Sequence, residues 1–268
     1  MDQEYKSLLS LLDDENEQSA ALAMAELLRR DEDRLEPVLR KLQESANPRL
    51  RKRIHQLQST ILLRRRRKTF TDRLSNREAH LLDGLFQLHL LWFDNDSPGA
   101  LRKQWKHLLE SARSFSPDTL ESLGFFLRKM KFRCAHKDDL EPDHFCIGTV
   151  LDGSPGADFL LCAIAVLIAQ ETGLQLRITQ AAETDFILID PRENVLIPAQ
   201  DWSYMPNDGK HYAFRFWSVS MLLRYAAALM FAGAVSSDSF RYIYTVGSCL
   251  SGIADSRLPL PYPYGGNR

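Results

Sequence analysis

The sequence predicts an α+β protein in which one helix lies buried on a small antiparallel sheet, behind an N-terminal arm made of α-helices. Three observations carry this reading. Phe159 to Ala169 is a run of eleven consecutive apolar residues, too short to cross a bilayer but suited to a helix buried on every side. Leu174 to Ile178 alternates apolar and polar, and Phe186 to Ile189 is continuously apolar, so two half-buried or buried strands follow that helix. Residues 4 to 68 carry helix patterns interrupted by polar clusters rather than by strand-like alternation.

The arm comes first. Its breaks are Asp13-Asp14-Glu15-Asn16, Asp31-Glu32-Asp33 and Asn47-Pro48, each suited to a helix start. Asn47 can cap, and Pro48 fits the first helical position, where a missing N–H costs nothing. The stretches beginning near Asn16 and Asn47 are offset by about thirty residues, as in short HEAT-type helical repeats. The expected division is an arm over 1–70 and a second domain over 71–268.

Charge is segregated within the arm. Residues 1 to 36 hold eleven acids against four bases, whereas 45 to 71 hold nine Lys or Arg and no acid. Acidic and basic helices stacked as neighbours would neutralise one another; alternatively Arg64, Arg65, Arg66, Arg67 and Lys68 form a docking run for a partner. The formal net charge of -1 gives no global reason to expect nucleic acid, and Phe70 alone interleaves the basic run, which argues against single-strand stacking.

In the second domain, Gly156 precedes the apolar helix and Gly173 fits its C-cap. A helix buried on a small antiparallel sheet is the core of papain-like cysteine enzymes, which place a thiol at the helix N-terminus, where the dipole favours thiolate. The run Val150-Leu151, Gly156, Gly173-Leu174 and a strand about ten residues later resembles the transglutaminase-like superfamily, most of all its SirB-type branch, which has a helical domain in front. Leu81 to Leu91 is similar to that branch's first helix, and Leu120 to Phe132 to a later one. The likeness covers about residues 75 to 200.

That resemblance implies a triad, and the sequence departs from it at each position. The family's Gly-x-Cys reads Gly156-Ala157-Asp158, its His would fall at Thr184 or Asp185, and its third acid near Pro198. Thioester chemistry needs thiolate, base and orienter within hydrogen-bond reach. The expectation is a pseudoenzyme that binds protein or peptide; the alternative is a hydrolase or acyltransferase built on a different constellation around Asp158, Asp185 or Cys162.

Other groups have side chains suited to chemistry. Cys134, His136, His144 and Cys146 supply four potential ligands within thirteen residues, yet Cys-x-His is tighter than usual zinc spacing, so no metal and no cofactor is expected. Cys162 reads as a small hydrophobe within its helix. His211 and Tyr212 precede Phe214, Phe216 and Trp217, an aromatic cluster that reads as core or as a lid over the cleft. The 258–268 tail favours polyproline II. Ser218 to Val235 contains Arg224 and reads as a core helix, not a membrane span. The first residues show no secretory signal, and four cysteines fit a reducing compartment, so a cytoplasmic location is expected.

Overall fold

The computed structural model describes residues 3–75, 80–181, 185–209 and 214–251. The protein is α+β, mostly helical, with one four-stranded sheet. The chain divides into two compact units, Met1–Arg66 and Arg67–Arg268.

The first unit contains α1 (Gln3–Leu11), α2 (Glu17–Leu27), α3 (Glu32–Leu42) and the start of α4 (Pro48–Ser75). Polar side chains begin these helices as the sequence indicated. Asn16 accepts from Gln18 N and Ser19 N, Asp31 accepts from Asp33 N, and Asn47 accepts from Arg49 N at 2.9 Å. The unit buries Leu12, Leu27, Leu35, Leu39, Ile54 and Leu57 in its own core, each contributing roughly 1.5–3 kcal/mol of burial.

The C-terminal ends of α1 and α2 receive their partners from α4. The guanidinium of Arg53, 3 % exposed, donates to Leu12 O at 2.7 Å and Asp14 O at 2.6 Å. About three turns further along the same face, Arg64 donates to Leu28 O at 2.5 Å. Carbonyls left open at a helix end are thereby satisfied by cations, which the negative end of the dipole favours.

The second unit runs through α5 (Leu81–Trp92), α6 (Pro98–Phe115), α7 (Leu120–Lys129), α8 (Ile147–Leu151) and α9 (Asp158–Thr172). The strands β1 (Arg177–Ala181), β2 (Asp185–Ile189), β3 (Val195–Ile197) and β4 (Ser203–Met205) follow, and then α10 (Val219–Ser236) and α11 (Phe240–Ser251). The sheet is an antiparallel meander in the order β1-β2-β3-β4, with Ile178 opposite Leu188 and Leu188 opposite Leu196. Period-two alternation sorts β2 between two layers. Phe186 and Leu188 join the main core with α9, while Ile187 and Ile189 join Ile197 in a separate cluster.

The apolar run is helix α9, and Phe159 to Ala165, Ile168 and Ala169 are buried on it. Gly173 ends it at φ 82°, where the left-handed cap suits a residue without Cβ, and Leu174 N returns to Ala169 O at 2.9 Å. This exit occupies the residues expected to open the first strand. Pairing therefore begins at Arg177 rather than Leu174 and extends to Ala181.

Two further elements fix the sheet. Trp202 is buried, and its indole Nε1 donates to Phe132 O at 2.8 Å, tying the β3–β4 turn to the residues after α7. Asp201 and Trp202 both adopt positive φ, 50° and 57°, a conformation that costs roughly 1–3 kcal/mol per residue and is held by that anchor. Helix α10 is long and apolar enough by composition to qualify as a membrane span, but one face buries Leu222, Leu223, Ala226, Met230 and Phe231. Its Arg224 donates to Leu74 O at 3.0 Å.

Candidate functional site

The N-terminus of α9 is assembled by backbone pairing with the strand-like segment after α7. Gly156 N donates to Arg133 O at 2.9 Å and Ala135 N donates to Gly156 O at 2.8 Å, which sets Cys134 beside Gly156. A Cβ on Gly156 would lie 2.8 Å from Val150 Cγ2, so the close approach needs glycine. Ala157 occupies the N-cap without a side-chain acceptor.

Asp158 supplies what the cap lacks. Its Oδ1 accepts from its neighbour Phe159 N at 2.7 Å, and its Oδ2 accepts from Phe186 N at 2.9 Å, across 28 residues of sequence. The carboxylate thus joins the first turn of α9 to β2. Burial raises the Asp158 pKa, opposed by the two backbone N–H groups and by Lys137.

Around this joint stand Lys137, which hydrogen-bonds Asp185 at the start of β2, and the half-buried Cys134. Burial, then the charge of Asp158, push the Cys134 thiol up to about 11. A cluster of rings closes the inner side: Tyr225 meets Phe159 edge-on at 5.4 Å, and Trp217 meets Phe186 at 4.9 Å and Tyr225 at 5.3 Å. Burial and then Asp158 raise the Tyr225 pKa.

Asp158 and Asp185 are therefore brought together at one end of α9, with Lys137 between the helix end and the strand. Cys162 is fully buried, and its thiol is pushed well above the ordinary range by desolvation. Pro198 opens a single 3₁₀ turn after β3. Thr184, His211, Tyr212 and the 258–268 tail lie outside the described residues. Phe216 is exposed, with Arg177 over its ring at 4.9 Å. Spacing gave no sign of Lys137 or Tyr225 as neighbours of Asp158, because both come from elements brought there by tertiary packing.

The four Cys and His residues are spread apart in environment. His136 is exposed, His144 Nδ1 accepts from Glu141 N at 3.0 Å, and Cys146 is fully buried. Among the described residues no group of three or more His, Cys, Asp or Glu is placed to hold a metal ion. In the basic run, Arg65 pairs with Glu36 at 2.6 Å, Glu32 at 3.3 Å and Asp33 at 3.4 Å, while Arg64 caps α2. Arg66 is buried, Arg67 lies 4.9 Å over the Tyr244 ring, and Lys68 is exposed.

A cavity of about 690 Å³ opens at the opposite end of α9, lined by Gln170, Leu174, Arg177, Asp190 and Glu193 among others. It does not include Asp158.

Residues 100–203 match the family model of the transglutaminase-like superfamily. The segment from α6 to the start of β4, with the buried helix and its sheet, is thus a transglutaminase-like domain. No curated protein and no solved structure matches the chain.

Proposed function

We propose that this domain works by binding a protein or peptide and not by acyl transfer, and that the chain is a SirB-type pseudoenzyme with HEAT-like repeats in its arm. The observation that carries the reading is Asp158. At the position where the superfamily places its nucleophile, both carboxylate oxygens are engaged by backbone N–H groups, a structural use that leaves no thiolate at the helix dipole. Cys134 stands nearby but is held as a thiol by its surroundings, and a thiol is a poor nucleophile. The four-helix arm supports the branch assignment, and four free thiols support a cytoplasmic location.

The test is a peptide-display selection on the intact chain. Selected peptides should lose affinity by about ten-fold or more with Lys137→Glu, at the α9 N-terminus, or with Arg177→Glu, at the 690 Å³ cavity. The reading is overturned by incorporation of a fluorescent amine into a glutamine peptide that disappears with Cys134→Ser, or by failure to select any peptide sensitive to either change.

A further inference from the structure

Two cavities of the second unit share a wall. The one of about 690 Å³ at the C-terminal end of α9 has Leu176, Arg177 and Phe216 in common with another of about 320 Å³. The smaller one is lined by apolar side chains from four elements, among them Leu81 on α5, Val166 on α9, Ile178 on β1 and Leu222 on α10. Among the described residues, Arg177 is the only charged one lining it. The shared wall therefore sets one exposed cation beside an apolar hollow.

How that cation is held decides what it can receive. The guanidinium lies 4.9 Å over the Phe216 ring, so stacking occupies a face and fixes its plane. It forms no ion pair among the described residues. Its N–H groups lie in the plane and present a fork that fits a carboxylate through two parallel bonds. Arg67 is stacked in a similar way, 4.9 Å over the Tyr244 ring, but lines neither cavity.

We infer that the paired cavities receive the C-terminal end of a peptide whose last residue is apolar, with its α-carboxylate on Arg177 and its side chain in the 320 Å³ cavity. This rests on the reading of the domain as a peptide-binding module. The adjacency of cation and hollow selects a chain end. In a peptide, only the last residue carries a free carboxylate and an apolar side chain on the same Cα. An internal Asp or Glu spends its own side chain on the charge, and the next side chain on the same face of an extended strand stands two residues, or about 6.5 Å, away. The residues before the last pass Phe216 into the larger cavity. Asp190 and Glu193 line that cavity, Asp190 with its carboxylate engaged by Arg192 N, Asn194 N and Asn194 Nδ2, so acidic side chains are disfavoured there.

The test selects peptides on the intact chain from two display libraries, one with free C-termini and one held at both ends in a scaffold loop. The free-end library should converge on Leu, Ile, Val, Met or Phe in the last place. The best such peptide is then made as the free acid and as the C-terminal amide, and affinities are read by fluorescence polarisation. The amide, and Gly in place of the last residue, should each bind at least about ten-fold more weakly, through loss of a charged hydrogen-bonded pair or of a buried side chain. Arg177→Gln should weaken the acid by about ten-fold and leave the amide unchanged, at an unchanged melting temperature. The comparison of acid with amide on the unaltered protein stands even if that variant fails to fold. Equal binding of acid and amide, or equal weakening of both by Arg177→Gln in the folded variant, overturns the inference. Peptides drawn only from the loop library and sensitive only to Lys137→Glu overturn it while leaving the peptide-binding reading intact, whereas no peptide from either library removes both. Tighter, Arg177-dependent binding of laurate than of any selected peptide also overturns it and assigns the site to a fatty acid.

Discussion

Replacing Asp158 with Ala removes the acceptor of two backbone N–H groups at once, Phe159 N and Phe186 N. A buried donor left without a partner costs about 1–3 kcal/mol. The site is only partly buried and the carboxylate itself is desolvated at a cost, which places the net loss near about 2–4 kcal/mol at neutral pH. Asn restores one acceptor but turns an amide N–H₂ toward the other donor, so Asp158→Asn should recover about half of the loss. Urea unfolding followed by tryptophan fluorescence isolates the effect, because Trp92, Trp105, Trp202 and Trp217 all lie in the second unit. The pH dependence has a definite sign. A carboxyl whose folded pKa is raised binds its proton more tightly folded than unfolded, so its stabilisation is greatest below the unfolded value of about 3.9 and declines as pH rises through the folded value. The gap between wild type and Asp158→Ala should therefore narrow from acid toward neutral pH and then level off. A gap below about 0.5 kcal/mol at pH 7 would refute the joint between α9 and β2. A gap that widens as pH rises would refute the dominance of desolvation over the two hydrogen bonds.

Three other expectations are independent of that joint. With Cys134 and Cys249 pushed up to about 11 and Cys146 and Cys162 well above the ordinary range, iodoacetamide at neutral pH should label native protein slowly, and half-exposed Cys134 first; rapid labelling of Cys162 would show that its helix opens or that its burial is wrong. Arg53→Met should cost about 2–4 kcal/mol, because two carbonyls lose a charged donor, whereas Arg65→Gln should cost no more than about 1 kcal/mol and less in salt; hydrogen exchange over residues 3–42 reads both, and equal effects would remove the distinction. Elemental analysis should find far less than one zinc per chain with no change of melting temperature on adding chelator, and stoichiometric zinc would mean that Cys134, His136, His144 and Cys146 converge in solution.

The parts of the fold written in local pattern were legible in the sequence. Eleven apolar residues gave α9, the polar breaks at Asn16, Asp31 and Asn47 gave three helix starts, and Phe186 to Ile189 gave β2. The alternation at Leu174 to Ile178 predicts the first strand three residues early, because it cannot distinguish a strand from a chain still leaving a helix through a left-handed cap. The site was legible only in part. The sequence marks Asp158 as the substituted residue and as a first-turn carboxylate favoured by the dipole, but its bond to Phe186 N spans 28 residues and leaves no periodic trace. The same holds for Lys137 on Asp185, for Tyr225 above Phe159, and for Trp202 reaching Phe132 O over 70 residues. Such contacts are decided by packing, and no window of neighbouring residues contains them.

The capping arginines of α4 carry a consequence for how the arm is made. Arg53 completes the end of α1 from 41 residues downstream, and Arg64 completes the end of α2 from 36 residues downstream. During synthesis the first two helices emerge from the ribosome with their terminal carbonyls open and with Ile54 and Leu57, their core partners, not yet translated. Synthesis runs at about 5–20 residues per second, so for several seconds the nascent arm has helices without a core to hold them. It can close only when α4 arrives, in a single step that takes all four helices together. The arm is thus indivisible in time as well as in space: a chain stopped before residue 48, without α4, would be a set of unsupported helices open to proteases, and the last helix made is the one that folds the first.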